Sequence, residues 1–414
     1  MRRRVFILPQ EDVPARCGKL EVAMRAAPLI SAVILTAAQA LPLATPADAA
    51  SEAVIYSFKG GIDGSTPRSG LIDVGGTLYG TTYQGGGTGC RLGCGTVYSV
   101  TPAGIETTLY AFKPPHGIRP FANLIELGNS FYGVAAGGGA FKEGTFFKIL
   151  PGGREKTLYS FGSGSDGTYP FGSLINIGGM FYGTTGHGGA FGHGTVFSIT
   201  PAGVETVLYS FKGGNDGDYP YGGLINVAGT LYGTTIDGGT LGAGTVFSVT
   251  LDGVESVLHS FGNTGDGSTP QSSLIKVGDK LFGTTTLGGA ASCGGSTGDC
   301  GTVFSITLTG VERPIYSFQG GTDGAQPVAG LIDVGGILYG TTTSGGAGGN
   351  ICSGGCGTVF KITEKGAETV LHAFTTGNDG WAPFGPLLNV EGVLYGATAY
   401  GGPGNHGTIF TVTP

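Results

Sequence analysis

From Ala53 to its last residue the chain repeats one phrase with a period of about 50 residues. The fourth copy reads NDGDYPYGGLINVAGTLYGTT from Asn215 to Thr235, and the segments LYSF, LI-x-V, LYGTT and GTVFS return in the same order throughout. Seven copies can be aligned. A period of this length marks a repeat architecture, in which one unit is too small to bury its own apolar faces and needs its neighbours. Composition is intelligible only in that light. With 85 Gly and 21 Pro in 414 residues the chain would ordinarily read as low-complexity. Yet hydrophobic residues make up 40% and return in phase, which a disordered chain does not do.

Each copy holds four short β-type runs, as in LINV, TLYGTT, GTVFSVT and ESVLHSF of the fourth. Gly-Gly, Ala-Gly and Asp-Gly pairs between them supply the positive φ of tight turns. The runs are apolar on both alternations, which predicts sheets buried on both faces. A ring of sheets gives every sheet two neighbours. The expected fold is therefore all-β, a seven-bladed β-propeller of four-stranded blades. The phase of the repeat predicts how the ring closes. AVIYSF, Ala53 to Phe58, is a fourth strand with no first three before it, and the seventh copy stops after its third strand, GTIFTVTP. The N-terminal strand is expected to complete the last blade.

Residues 1–49 stand outside the repeat and read as an N-terminal extension plus a secretory signal peptide, with 50–414 as a single propeller domain. Arg25 begins the signal, Pro28 to Ala44 form its apolar stretch, and Ala47-Asp48-Ala49 a small-residue cleavage site, so Met24 is the expected start. After cleavage no segment is long and apolar enough for a transmembrane helix. The expected location is periplasmic or extracellular.

The string LYSF-x-GG-x-DG-x-x-P, LI-x-V-GG-x-LYGTT, GTVFSIT-PAG-x-ET resembles the GloVer (Gloeo/Verruco) tandem repeat family over Ala53 to Pro414. Its strand layout is also similar to that of kelch propellers. The resemblance implies an exported bacterial protein and a propeller fold, and it implies no defined activity.

Within a propeller, the loops from strand two to three and from strand four to the next blade share one face. Here that face carries all the length variation and the recurrent Asp-Gly loops, so it is the expected binding face. Six cysteines fall there as pairs inside single loops: Cys90 with Cys94, Cys293 with Cys300, and Cys352 with Cys356. In an exported protein each pair is expected to form a loop-stiffening disulfide, with a zinc site shared by the last four as the alternative. Asp63, Asp166, Asp216, Asp266, Asp323 and Asp379 precede Gly in six copies, and His116 stands there in the second. One carboxylate per loop is far short of the six or more oxygens of a Ca²⁺ site, so the expected role is bonding to the loop's own backbone, with Ca²⁺ as the alternative and no cofactor expected.

Pro-aromatic pairs follow the Asp-Gly loops at Phe121, Phe171, Tyr221 and Phe384. Tyr169 and Tyr219 precede the proline, as Trp381 does near the seventh copy. Tyr169, Tyr219, Trp381 and Phe384 are the ligand-binding candidates, since flat rings at a loop rim can stack on sugars. Tyr79, Tyr232, Phe197 and Phe247 recur in almost every copy and are expected core. His187, His193 and His406 on the same face are candidate catalytic or metal groups, whereas His259 and His372 replace an outer-strand Tyr and are expected to be structural. No metalloprotease, nucleophile-elbow or phosphate-loop motif is present. Net charge is −7, and no basic cluster in the repeats suits a phosphate backbone, which argues against nucleic acid. The function expected is that of a monomeric, non-catalytic binding module for polysaccharide or an envelope protein. A secreted hydrolase or lyase and a structural matrix protein are the alternatives.

Overall fold

A computed structural model describes residues 50–289, 300–348, 352 and 354–414. The proposed signal peptide and Cys293 lie outside the described residues. All the repeats belong to one unit, Asp48–Pro414. It is a ring of seven antiparallel sheets, in six of which the four main strands lie side by side in sequence order. In the third blade the order is Ile175–Ile177, Met180–Thr185, Thr195–Ile199 and Glu205–Ser210. Three blades add a short ribbon, Ser65–Pro67, Gly117–Pro120 or Asp218–Pro220, on the far end of strand two.

The ring closes as the phase of the repeat predicts. Strand Ser51–Ser57 lies antiparallel to Thr408–Thr413, with Val54 opposite Phe410 and a bulge before Tyr56. One blade is thus built from both ends of the repeat region.

Burial differs across a blade. Strands two and three are buried on both faces, as the continuous apolar runs predict, but the first and fourth strands are only half-buried. The physical reason is position: the first strand lines the axial channel and the fourth forms the outer rim, so neither has a sheet on every side. Adjacent blades are joined by one repeated contact. The Phe that follows each fourth strand meets the strand-three ring of the next blade edge to face. Centroid separations are 5.0 Å for Phe58–Tyr98, Phe112–Phe147, Phe211–Phe247 and Phe374–Phe410, and 5.1 Å for Phe161–Phe197, Phe261–Phe304 and Phe318–Phe360. T-shaped pairs of this kind add about 0.5–1.5 kcal/mol each beyond the area they bury.

The glycine inside strand two makes this possible. Gly233 lies opposite Phe247 in register, and a Cβ on it would sit 2.6 Å from the tip of that ring. A missing side chain on one strand thus leaves the space that the ring on the next strand fills.

Near the axis, polar groups tie successive blades. The Gly70 N–H donates to Asn123 Oδ1 at 2.7 Å, the Asn123 N–H to Ser173 Oγ at 3.0 Å, and the Gly223 N–H to Ser273 Oγ at 2.9 Å. These bonds hold the inner strands close around a narrow channel.

Candidate functional site: the mouth of the axial channel

The channel mouth is made by one position of the repeat. Each loop from strand four into the next blade reaches a proline that packs on a glycine at the start of the preceding blade's third strand. A Cβ on Gly194 or Gly244 would meet Pro220 or Pro270 at 2.6 Å. The residue before the proline is left-handed in all seven blades: Thr66, Arg119, Tyr169, Tyr219, Thr269, Gln326 and Ala382, with φ between 54° and 63°. L-residues seldom adopt this conformation, least of all a β-branched Thr. Bonds to the previous blade hold it there, such as Tyr169 N–H to the Glu143 carbonyl at 2.8 Å and Gln326 N–H to the Cys300 carbonyl at 2.8 Å. The turn directs the residue after the proline inward. Arg68, Phe121, Phe171, Tyr221, Gln271, Val328 and Phe384 consequently line one cavity of about 350 Å³ on the axis.

Four of these side chains are aromatic and one is a cation. Phe171 stacks on Tyr221 at 4.8 Å, and Phe121 meets Tyr221 edge-on at 5.5 Å. The Arg68 guanidinium lies over the rings of Phe384 at 4.7 Å and Tyr83 at 4.9 Å. Its Nε is shielded from solvent and has no hydrogen-bond partner. Among the described residues no carboxylate forms an ion pair with Arg68. A cation held by ring faces and left without an anion suits a ligand that brings its own negative charge.

The residues singled out in the sequence divide. Phe384 lines the cavity. Tyr169 and Tyr219 form an outer tier, parallel to Phe171 and Tyr221 respectively at 6.2 Å, and the exposed His187 meets Tyr219 edge-on at 4.4 Å. Trp381 is elsewhere. Ala382, not Trp381, takes the left-handed turn before Pro383, so Trp381 is one position out of register with the two tyrosines. It stacks on Tyr400 at 4.3 Å and its Nε1–H donates to Asn405 Oδ1 at 3.2 Å. Phe121, Phe171 and Tyr221, which were not among the ligand-binding candidates, face the channel, and the proline makes the blade-to-blade contact. Arg68 and Gln271 hold the same position of the repeat as these rings but are not aromatic, so a pattern of rings does not reveal them. Following the one position through every copy would have found both.

His193 and His406 do not share a site. His193 Nδ1 lies 3.0 Å from Asp218 of the following blade, while His406 Nδ1 is 3.1 Å from Ser65 Oγ. Ser65 is buried and its hydroxyl also meets Thr66 at 3.3 Å. The recurrent aspartates each lie in a separate seam between outer strands. Asp166 accepts from Tyr159 Oη at 2.6 Å and from the Gly162 N–H at 3.1 Å. Asp63, Asp216 and Asp323 accept from Tyr56, Tyr209 and Tyr316 in the same way. His259 and His372 take the place of that Tyr opposite Asp266 and Asp379. Disulfides join Cys90 to Cys94 and Cys352 to Cys356, and Cys300 is disulfide-bonded. Zinc shared by cysteines of the fifth and sixth copies is therefore not what the structure shows at Cys352 and Cys356, where oxidised sulfurs are bonded to each other.

Each seam also holds a glutamate from the start of the next outer strand, a group the sequence reading passed over. Burial, with Asp266 beside it, pushes the Glu312 carboxyl up to about 8. Burial and a neighbouring aspartate likewise raise Glu205, Glu255 and Glu368 to about 7. In the second copy, where His116 replaces Asp, it pairs with Glu155 at 2.8 Å instead of repelling it. A carboxyl raised in the folded state binds protons that the unfolded chain has released. These groups therefore favour folding most at low pH, and that contribution is lost as pH rises through about 7–8. Lowering the pH from about 8.5 to about 6.5 is expected to raise the melting temperature, and Glu312→Gln to flatten the slope. Melting curves in matched ionic strength check this; a melting temperature that stays level or drops over that interval contradicts it.

Among the described residues no helix is long and apolar enough to cross a membrane. The fold is similar to that of a lectin from Burkholderia pseudomallei, with a TM-score of 0.55 at 11% identity, covering 84% of this chain and 96% of the lectin. A gluconolactonase from Xanthomonas campestris gives a TM-score of 0.45 at 13% identity, covering 88% and 89%. No curated protein matches the sequence. The Gloeobacter/Verrucomicrobia repeat model matches residues 44–179, 88–297 and 289–414, which together span every blade. The chain belongs to the Gloeobacter/Verrucomicrobia repeat family.

Proposed function

We propose that the protein is a non-catalytic carbohydrate-binding module whose site is the channel mouth, and that it prefers sugars bearing a carboxylate. The observation that carries this reading is the convergence of Arg68, Phe121, Phe171, Tyr221 and Phe384 on one cavity of about 350 Å³. Ring faces suit the C–H faces of a sugar, Tyr221 and Gln271 offer hydrogen bonds, and the unpaired guanidinium matches a carboxylate in bidentate fashion. A cavity of this volume falls within the usual range of ligand sites. Tyr169 and Tyr219 extend the platform outward for a longer chain. The lectin of similar fold adds only that such a ring can serve a sugar-binding protein. The loop disulfides suit a periplasmic or extracellular setting, where thiols oxidise.

An array of uronic-acid polymers and neutral glycans tests this. The acidic polymers are expected to bind, and Arg68→Ala to weaken them at least about tenfold, as losing a charge-assisted pair does. Failure of every sugar to bind overturns the reading. Acidic glycans bound no better than neutral ones, and equally well by Arg68→Ala, would keep the module and remove the acidic preference.

A further inference from the structure

We propose that two seams of the outer rim are binding sites for a divalent transition-metal ion of the Zn²⁺ type, one built from His259, Asp266 and Glu312 and the other from Glu52, His372 and Asp379. The seven-fold repeat supplies its own comparison. The common seam sets a tyrosine hydroxyl, an aspartate and a glutamate side by side. There the hydroxyl donates to the aspartate, at 2.8 Å from Tyr56, 2.6 Å from Tyr159, 2.7 Å from Tyr209 and 2.6 Å from Tyr316. A neutral phenol is a poor ligand and its proton already occupies the carboxylate.

Two seams exchange that tyrosine for histidine. His259 Nε2 lies 3.3 Å from Asp266 Oδ2, and His372 Nε2 lies 3.0 Å from Asp379 Oδ1. Two ligands on a tetrahedral zinc with bonds of about 2.0–2.1 Å stand about 3.3 Å apart. The glutamate completes each set, and the ligand atoms of each trio lie within 4.8 Å of one another. The glutamates are open to a ligand as well. Glu312 Oε1 and Glu52 Oε1 are shielded from solvent with no hydrogen-bond partner, as are Glu205, Glu255 and Glu368 Oε1 in three of the tyrosine seams, so the histidine is what sets these two seams apart. Buried polar atoms without a partner are uncommon in native proteins.

One neutral imidazole and two carboxylates carry a formal charge of about −2 when deprotonated, which a divalent ion cancels. Any proton held by the glutamate or the imidazole leaves to solvent on binding. The histidine side chains are 18% and 20% exposed, so a water can fill the fourth position from the rim. The second site has an added consequence. Glu52 belongs to the closing strand and His372 to the sixth blade's outer strand, so an ion there ties the closure to a neighbouring blade.

The test uses the full propeller, freed of metal by a chelator and titrated with zinc chloride, with bound zinc counted after desalting. Two ions per chain are expected. His259→Tyr and His372→Tyr should each remove one, and the double variant both. Tyrosine is what the other seams carry, so these variants should melt cooperatively without zinc, which is measured alongside. Zinc should raise the melting temperature of the native protein and of His259→Tyr but not that of the double variant. No uptake, or uptake that survives in the double variant on other histidines, overturns the proposal. Loss of an ion with only one substitution overturns it for the other seam.

Discussion

A chain that begins at Phe58, lacking strand Ser51–Ser57, is expected to lose cooperative folding, whereas one beginning at Ala50 should melt as a single unit. The missing strand pairs with Thr408–Thr413 along its length and covers the last blade's third strand. Val54, Ile55 and Tyr56 are half-buried, and Ile55 and Tyr56 pack against the core cluster around Phe58, Leu78 and Ile409. Each such side chain contributes about 1.5–3 kcal/mol when fully buried, and roughly half of that here. The strand's ladder bonds and Glu52 seam add to it, so the loss is a large part of the about 5–15 kcal/mol that a domain possesses. The exposed edge of Thr408–Thr413 then invites pairing with other chains. Thermal melting and size-exclusion chromatography read the result. A synthetic peptide of residues 50–58 should partly restore the monomer. A truncated protein that melts within about 2 °C of the longer one would show that closure contributes little.

Gly233→Val is expected to cost roughly 3 kcal/mol, a large effect for one glycine in a sequence this rich in them. A Cβ there meets Phe247 Cζ at 2.6 Å and Leu224 Cδ2 at 3.0 Å, both in fully packed surroundings. The Phe247 ring cannot retreat, because Phe211 of the preceding blade stands 5.0 Å from its centroid. Phe247→Ala should lose about 3–5 kcal/mol by the opposite fault, a cavity. Combining Gly233→Ala with Phe247→Leu should be less damaging than the sum of the two, since each makes room for the other. Denaturant titration of the singles and the double measures the coupling. Strict additivity would mean that glycine and ring do not share this space.

Much of the fold was legible because its causes are local and repeated. The glycines of the turns, the apolar runs of strands two and three, and the leftover fourth strand at Ala53 to Phe58 each imply the ring without reference to distant contacts. The partial burial of strands one and four was less legible, since apolar residues facing a channel or rim look like core residues in a linear pattern. Trp381 shows a further limit. Its distance from Pro383 differs by one residue from that of Tyr169 and Tyr219 from theirs, and one residue at a left-handed turn sends a side chain elsewhere.

From the sequence alone follow the number of blades, the partners of nearly every strand and the way the ring is sealed, because these depend on period, phase and turn chemistry. Tertiary structure alone decided which side chains meet. Arg68 and Phe384 stand 316 positions apart in the numbering, yet the ring brings them within 4.7 Å at the axis. His259 and Glu312 likewise belong to successive copies, and only the packing of one outer strand on the next sets them in the same seam. A repeat specifies its unit through neighbouring residues, whereas a site on a closed ring takes one residue from each unit, and convergence of that kind is a property of the closed circle.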